Sequence, residues 1–290
     1  IKSSYQKEHS LPIYTTSSFV FDNAEEGRAL FAEEKEGHIY TRYSNPTNDE
    51  FIMKLCALEE VEDGIATTSG MAAIFSCFIG HLKAGDHLVA WLSLFGSTHQ
   101  IITRVLPRFG ISHTYVDIND DDGWEKNIMP ATRMIFAETP SNPGLDIIDL
   151  EMLGKLADKH NLLLVIDNTF ATPYIQQPVK YGADIIIHST TKFIDGQGRT
   201  IGGAVLGKKD FIKDIRFMAR HAGPCMSPFD AWILSKSLET LALRMDRHCD
   251  NAFELAGYLE KNPGIKCVRY PFLSSYDKYK LAKKQMKSGG

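Results

Sequence analysis

Two short apolar runs, "LLLVID" at residues 162–167 and "ADIIIH" at residues 183–188, decide the fold class. Neither run alternates apolar and polar residues, as a strand with one face in water would. Short apolar runs without alternation are typical of strands that are buried on both faces of a parallel sheet. We therefore predict that both runs lie inside such a sheet.

Five further β-rich runs occur between residues 62 and 206, with helical segments among them. In one such segment, residues 149–161, the leucines fall on one face and acidic residues stand near the positive N-terminal end. Helices are also expected near residues 48–60 and 228–262. The five runs are "GIATT", "HLVAW", "SHTYV", "RMIFAE" and "GGAVLG". This alternation predicts a doubly wound α/β domain, whose ligands bind beyond the carboxyl ends of the strands.

The composition argues against several classes of protein. The 290 residues carry a net charge of −4 and no basic stripe with interleaved aromatic residues, so we expect no nucleic-acid partner. No apolar run approaches the length of a membrane span, and the first residues do not resemble a signal peptide. Five cysteines without CxxC pairs favour a reducing compartment, so we expect a cytoplasmic protein.

The chain divides into three expected parts. These are an N-terminal arm and helix at residues 1–60, an α/β domain with a linking helix at 61–262, and the start of a smaller C-terminal domain at 263–290. The segment "PGIKCVRYPFL" at 263–273 predicts a strand that opens the smaller domain. Both ends look cut, because Ile1 is not an initiator and the last residues stop within continuing structure.

Polar residues follow the first of these strands. Ser69 and Gly70 lead from "GIATT" into a helix that begins near Met71. Amides at a helix start point outward with the positive end of the helix dipole, which suits a phosphate group. An ordinary serine cap with a glycine turn explains the same residues.

Carboxylates stand at the ends of two other strands. The segment "IFAETPSNPG" places Glu138, Ser141 and Asn142 just past another strand in a loop that prolines stiffen, which a plain turn also explains. Asp167 follows five apolar residues, so its carboxylate should be partly desolvated. Such a carboxylate should pair with a cation or a protonated heterocycle. The alternative is that Asp167 caps the next turn.

Three hydroxyl residues and a lysine follow "ADIIIH". Ser189, Thr190 and Thr191 can donate hydrogen bonds to an anion while Lys192 stands beside it. Desolvation of a lysine favours its neutral form, a nucleophile that forms Schiff bases. The alternative is a solvated surface lysine. His188 stands alone and is interpreted as a packed strand-end histidine rather than a metal ligand.

Taken together, these strand ends favour one cofactor. A phosphate cradle, an acid for a pyridinium nitrogen and a lysine for an aldehyde are what pyridoxal 5′-phosphate needs. A nicotinamide site would instead need GxGxxG after the first strand, which is absent. A metal site would need clustered histidine and cysteine ligands, so we predict pyridoxal 5′-phosphate and no metal.

The strings "SGMAA", "ETPSNP", "DNTFATP" and "HSTTK", in this order, resemble the Cys/Met metabolism family of pyridoxal-phosphate enzymes. The resemblance runs from "YTRYSNPT" to "VRYPFLSS" and on to "LAKKQM", over nearly the whole chain. It implies a PLP-transferase-like fold of the aspartate aminotransferase type I, with a seven-stranded, mostly parallel sheet and the start of a smaller C-terminal α+β domain.

The resemblance also implies roles for single residues. Lys192 would carry the cofactor covalently and later move protons, and Asp167 would pair with the pyridinium nitrogen. Asn142 would lie near the phenolic oxygen of the ring and the substrate carboxylate, and Thr169 would pack beside the ring. The phosphate ligands would be Gly70, Met71, Ser189 and Thr191.

The same family implies an oligomer. Tyr40 and Arg42, from "YTRY", would reach the phosphate site of a neighbouring subunit. The active site would then need at least a dimer, and a tetramer is expected. The arginine that binds the substrate carboxylate would lie in a C-terminal region beyond these residues.

One position departs from the family pattern. The family stacks a tyrosine on the cofactor ring in a motif of the type YGxT, but this chain has "LFGST" and therefore Phe95. Phenylalanine can stack but has no hydroxyl for proton transfer. With "RFGI" following, this form looks like the O-succinylhomoserine sulfhydrylase branch. Methionine γ-lyase typically has cysteine where this chain has Ser97, which counts against a lyase.

The expected reaction is therefore a γ-replacement in methionine biosynthesis, in which O-succinylhomoserine and sulfide give homocysteine and succinate. A cystathionine γ-synthase, which uses cysteine as the nucleophile, is the first alternative. An O-acetylhomoserine sulfhydrylase or a γ-lyase comes next. A catalytically inactive binding homologue is the alternative from a different class.

Overall fold

A computed structural model describes residues 7–117, 120 and 122–290, and it confirms the α/β fold class. Seven strands form one sheet in the order β1-β7-β6-β5-β4-β2-β3. The strands are β1 (Asp63–Thr67), β2 (His87–Trp91), β3 (Ser112–Val116), β4 (Thr132–Glu138), β5 (Leu163–Asp167), β6 (Ile185–Ser189) and β7 (Gly203–Gly207). All seven apolar runs singled out in the sequence are strands of this sheet.

The sheet is mostly parallel, as expected. The strands β3, β2, β4, β5 and β6 pair in parallel, and only β7 runs antiparallel to its neighbours β6 and β1. The register places Glu138 opposite Asp167, and Ser189 opposite Gly203, which in turn lies opposite Thr67. These pairings bring the polar strand ends to one edge of the sheet.

Helices cover both faces of the sheet. They are α1 (Ala24–Phe31), α2 (Pro46–Glu59), α3 (Gly70–His81), α4 (Gly96–Gln100), α5 (Gly123–Lys126), α6 (Leu150–His160), α7 (Thr172–Ile175), α8 (Lys209–Ala222), α9 (Pro228–Leu238), α10 (Leu241–Glu260) and α11 (Tyr279–Gln285). A π-helical turn covers Ile101–Val105, and 3-10 turns cover Leu106–Phe109 and Pro178–Tyr181.

Two apolar cores lie on opposite faces of the sheet. Leu164 and Ile166 of β5 belong to the core beneath α2, α6, α9 and α10, whereas Val165 belongs to the core beneath α3 and α8. Successive side chains of a strand point to opposite faces, so a strand covered on both sides must be apolar throughout. This requirement explains the uninterrupted apolar runs in the sequence.

Helix α1 was not expected from the sequence, which indicated only a polar arm. Asn23 caps it by accepting a hydrogen bond from the Glu26 amide at 2.9 Å, and the Glu26 carboxylate accepts one from the Asp22 amide at 2.7 Å. The Asn23 side chain thus satisfies one of the amides that a helix start leaves free, and Glu26 holds the chain just before the cap. The signal was present in the spacing of Asn23 and Glu26.

The strand predicted at residues 263–273 is wrong. No strand forms there, because none of the described residues supplies a neighbouring strand with which its backbone could pair. Instead, Tyr270 and Leu273 are buried against Ala256 of α10. Farther on, the Gln285 side chain of α11 donates to the Ile148 carbonyl at 3.0 Å. The proposed division of the chain at residues 60 and 262 stays a prediction.

Helix α6 packs so closely on the turn before β6 that one of its positions excludes any side chain. A Cβ atom at Gly154 would overlap the Tyr181 carbonyl oxygen. We expect Gly154→Ala to lower the free energy of unfolding by about 1–3 kcal/mol, the usual cost of overpacking. Urea unfolding followed by far-ultraviolet circular dichroism measures this change.

Gly257→Ala is the matched control, since Gly257 also lies inside a helix but a Cβ there would meet no atom within 4 Å. It should raise the free energy of unfolding by about 0.5–1 kcal/mol, because alanine loses less backbone entropy than glycine. Equal effects of the two substitutions would contradict the packing described for α6.

Candidate active site

The carboxyl ends of β4 and β5 bring two acidic side chains together. Glu138 and Asp167 are the last residues of these strands and are paired in the sheet register. Both side chains are buried, with exposed fractions of 2% and 7%. Neither is paired with a lysine or arginine among the described residues. Burial side by side raises the pKa of both carboxyl groups, and a cation placed beside them would favour their charged forms.

Asp167 has few groups to stabilise its charge. Its Oδ1 atom accepts a hydrogen bond from the Thr169 amide at 3.0 Å. Burial raises the pKa of Asp167, and the bonds from Thr169 and the nearby His188 only partly oppose this effect. A protonated ring nitrogen placed against Asp167 would supply the missing counter-charge.

Glu138 joins two loops that the sequence did not connect. Its Oε2 accepts from the Phe95 amide at 2.7 Å, and its Oε1 accepts from the Asn142 amide at 3.0 Å. Burial and the neighbouring Asp167 raise the pKa of Glu138 to about 8, against the two amide hydrogen bonds. Glu138 was quoted in the sequence but was not predicted as a site residue.

Phe95 and Asn142 thus lie at the acidic pair. Phe95 is the N-cap residue directly before α4, and 41% of its surface is exposed. Asn142 is half-buried, and its side-chain amide has no hydrogen-bond partner within the described ranges. An exposed aromatic ring and a free amide are the groups expected to contact a ring-shaped ligand.

The start of α3 lies against the end of β6. A Cβ at Gly70 would approach the Ser189 Cβ to 2.6 Å, and one at Gly203 would overlap the Ser69 carbonyl oxygen. The Ser69 hydroxyl caps α3 by accepting from the Ala72 amide at 3.1 Å. The amides of Gly70 and Met71, in the first turn, have no acceptor within the helix. They are available to an anion beside Ser189.

Thr169 links this anion-binding end to the acidic pair. Its hydroxyl oxygen accepts a hydrogen bond from the Ser189 amide at 2.8 Å, while its own amide donates to Asp167. The Thr191 hydroxyl, in contrast, exchanges hydrogen bonds with Gly202 at 3.0 and 3.2 Å. Thr190 points to the core, where its hydroxyl is buried without a partner in the described chain.

Lys192 lies in the turn that follows β6. Its amide donates to the Ser189 carbonyl, and no hydrogen bond or ion pair engages its Nζ atom within the described residues. The side chain is exposed, so the expectation of a desolvated lysine is wrong for this chain. The reason is its position past the strand end, where the apolar cores no longer cover it. Its Nζ atom is therefore accessible to a ligand.

Tyr40 and Arg42 lie elsewhere. The Arg42 guanidinium stacks on the rings of Tyr40 and Tyr43, at 5.4 and 5.2 Å from their centroids, and donates to the Arg220 carbonyl. No hydrogen bond joins either residue to the strand-end site within the described part of this chain. Tyr40 is 41% exposed. Their predicted role toward a neighbouring subunit stays a prediction.

A buried pair beneath the site was missed. The His188 Nε2 and Glu59 Oε1 atoms lie 2.6 Å apart, and both side chains are fully buried. Asn168 donates to the same Glu59 oxygen at 2.8 Å. His188 is therefore a packed strand-end histidine, as interpreted. Glu59 is 129 residues away in the sequence, and no local pattern connects the two.

These residues fit pyridoxal 5′-phosphate. The unpaired Asp167 suits a pyridinium nitrogen, the exposed Lys192 amine suits an aldehyde, and the free amides of Gly70 and Met71 suit a phosphate. Among the residues that the structure describes, no group of three or more histidine, cysteine, aspartate or glutamate side chains could hold a metal ion. Nor does any helix in those ranges have the length and apolarity to cross a membrane.

Comparisons with known proteins agree with this chemistry. Residues 2–290 match the family model described as Cys/Met metabolism PLP-dependent enzyme. An L-methionine gamma-lyase of Treponema denticola is 42% identical over 96% of this chain and 71% of its own length. An O-succinylhomoserine sulfhydrylase of Pseudomonas aeruginosa is 43% identical over 98% of this chain and 70% of its own length. The relatives thus divide between two activities.

One similar solved structure contains a pyridoxyl group bound to lysine. A putative O-acetylhomoserine (thiol)-lyase of Campylobacter jejuni, which contains a pyridoxyl-lysine monophosphate residue, superposes with a TM-score of 0.96 at 35% identity. The alignment covers 100% of this chain and 81% of that chain.

The raised pKa of Glu138 makes stability depend on pH. Glutamate titrates near 4.5 when unfolded, so between about pH 4.5 and 8 the folded protein holds a proton that the unfolded chain has lost. The stabilisation is complete below this window and disappears as the pH rises through it. In the cofactor-free protein, the urea unfolding free energy should fall more steeply from about pH 5 to about pH 8 in the wild type than in Glu138→Gln.

Glu254→Gln, on the exposed surface of α10, is the control and should keep the wild-type slope. If Glu138→Gln left the pH dependence of the unfolding free energy unchanged, the raised pKa of Glu138 would be contradicted.

Proposed function

The chain belongs to the Cys/Met metabolism family of pyridoxal-phosphate-dependent enzymes, and we propose that it forms part of an O-succinylhomoserine sulfhydrylase. The reaction is a γ-replacement, in which O-succinylhomoserine and hydrogen sulfide give homocysteine and succinate. The main support for the proposal is Phe95, which occupies the position where the family stacks a tyrosine. Its amide donates a hydrogen bond to Glu138. The Pseudomonas aeruginosa sulfhydrylase supports the same activity.

The cofactor supplies one thing, an electron-withdrawing ring that accepts the charge left at the substrate Cα when its proton is removed. Asp167 would hold the ring nitrogen in its protonated form, because burial makes an unpaired carboxylate there costly. Glu138 holds Phe95 and Asn142 at the ring through their amides. The Gly70 and Met71 amides and Ser189 hold the phosphate end.

Proton transfers fall to Lys192. The Phe95 ring has no ionisable group, so it would pack against the cofactor and exclude water but would move no proton. The Lys192 amine would remove the Cα proton and pass it on before it removes the Cβ proton, and succinate would then leave from Cγ with the electron pair of the C–O bond. Hydrogen sulfide then adds at Cγ, and Lys192 returns the protons as homocysteine is released.

A γ-lyase is the second candidate, because the Treponema denticola relative bears that name at 42% identity. Such an enzyme would release 2-oxobutanoate rather than homocysteine. Ser97, the second residue of α4, argues against it, since methionine γ-lyases typically have cysteine there. A cystathionine γ-synthase would use the same residues with cysteine as the nucleophile.

The assembly is proposed to be a homo-oligomer. The arm at residues 1–60 would present Tyr40 and Arg42 to the phosphate site of a second subunit, so at least a dimer, and in this family usually a tetramer, would complete the site. A reducing cytoplasmic location agrees with the five cysteines, which are all free.

A competition assay tests the proposal. The full-length protein, loaded with cofactor, receives O-succinylhomoserine with equal sulfide and cysteine, and the products are separated by mass. We expect mainly homocysteine. Mainly cystathionine would assign the synthase activity instead, and mainly 2-oxobutanoate would assign the lyase activity. Lys192→Ala is the control and should give none of the three.

A further inference from the structure

The turn that carries Lys192 is held tightly along its backbone. The Gly196 amide donates to the Lys192 carbonyl at 2.7 Å, and the Asp195 amide donates to the Thr190 carbonyl at 2.9 Å. Thr190 in turn donates to the Gly202 carbonyl at 3.0 Å. None of these backbone bonds engages the carbonyl groups of Phe193 and Ile194, the two residues directly after Lys192.

Arg244 of α10 supplies the missing donors. Its Nη1 atom donates to the Phe193 carbonyl at 2.6 Å, and its Nη2 atom donates to the Ile194 carbonyl at 3.0 Å. The same Nη2 atom reaches the Ser237 carbonyl of α9 at 3.0 Å. One guanidinium group therefore ties the lysine turn to the ends of two helices.

Gly196 makes room for this guanidinium group. Its φ of 68° lies in the left-handed region, and a Cβ there would overlap the Arg244 Nη1 atom. Gly198, two residues on, has nearly the same φ of 67°, yet a Cβ there would meet nothing within 4 Å. Only the first glycine is thus required by the approach of Arg244.

We propose that Arg244 is a positioning residue for Lys192, holding the backbone of residues 193 and 194 so that the lysine amine meets the cofactor in a fixed orientation. The inference rests on the proposed role of Lys192 as the lysine that binds the cofactor. Arginine is required because its planar fork reaches two successive carbonyl groups at once, whereas a lysine ammonium is a single point charge. Catalytic groups need such support to stay in place.

Two independent variants disrupt the hydrogen bonds from Arg244 to the Phe193 and Ile194 carbonyls. Arg244→Lys keeps the charge but loses the fork, and Gly196→Ala keeps the arginine but displaces it. Each should raise the dissociation constant for pyridoxal 5′-phosphate about tenfold, as expected for one to two lost hydrogen bonds to a charged group. At saturating cofactor, the visible circular dichroism of the bound cofactor should weaken in both, since this signal reports a fixed orientation.

Matched controls separate this effect from general damage. Arg247→Lys changes an exposed arginine of the same helix, and Gly198→Ala introduces the same left-handed strain without touching Arg244. Both controls should keep the wild-type dissociation constant and dichroism. The urea unfolding midpoint of every cofactor-free variant is measured alongside.

The proposal would be overturned if Arg244→Lys and Gly196→Ala lowered the urea midpoint but left the dissociation constant and the dichroism unchanged. Arg244 would then only stabilise the fold. Borohydride reduction followed by peptide mass analysis tests the premise separately in the wild type. Reduction that labels a residue other than Lys192 would overturn the proposed role of Lys192, and with it this inference.

Discussion

The site depends on two carboxylates, Glu138 and Asp167, that the sheet forces to lie side by side. Strand order and register put both at the carboxyl ends of adjacent buried strands, where water cannot stabilise two negative charges. Glu138 accepts hydrogen bonds from two backbone amides, but burial beside Asp167 still raises its pKa to about 8. Asp167 accepts a backbone hydrogen bond only from the Thr169 amide and forms no ion pair within the described residues. Its carboxylate therefore suits a cationic ring.

The rest of the site is connected to this pair through the backbone. Glu138 accepts hydrogen bonds from the loops that carry Phe95 and Asn142. One side chain therefore fixes the positions of an aromatic residue and a polar residue. Thr169 bonds both Asp167 and Ser189, which joins the acidic end of the site to the end that suits a phosphate. The spacing between the acidic pair and the start of α3 is therefore set by the sheet.

The sequence predicts the sheet well, because a strand covered on both faces must be apolar throughout, and that pattern is local. Polar residues at the ends of such runs likewise indicated Asp167, Ser189 and Lys192. Contacts between distant residues gave no local signal, as with Glu59 and His188 at 129 positions apart and Arg244 and Phe193 at 51. The strand predicted at 263–273 failed because a strand needs a partner, which a sequence run alone cannot supply.

We propose that Asp167 keeps the ring nitrogen of the bound cofactor protonated. Nitrogen-15 magnetic resonance of labelled pyridoxal 5′-phosphate in the full-length protein measures that protonation directly. We expect a protonated ring nitrogen at neutral pH in the wild type and an unprotonated one in Asp167→Asn, which has a similar shape but no charge. An unprotonated nitrogen in the wild type, or a protonated one in Asp167→Asn, would contradict it.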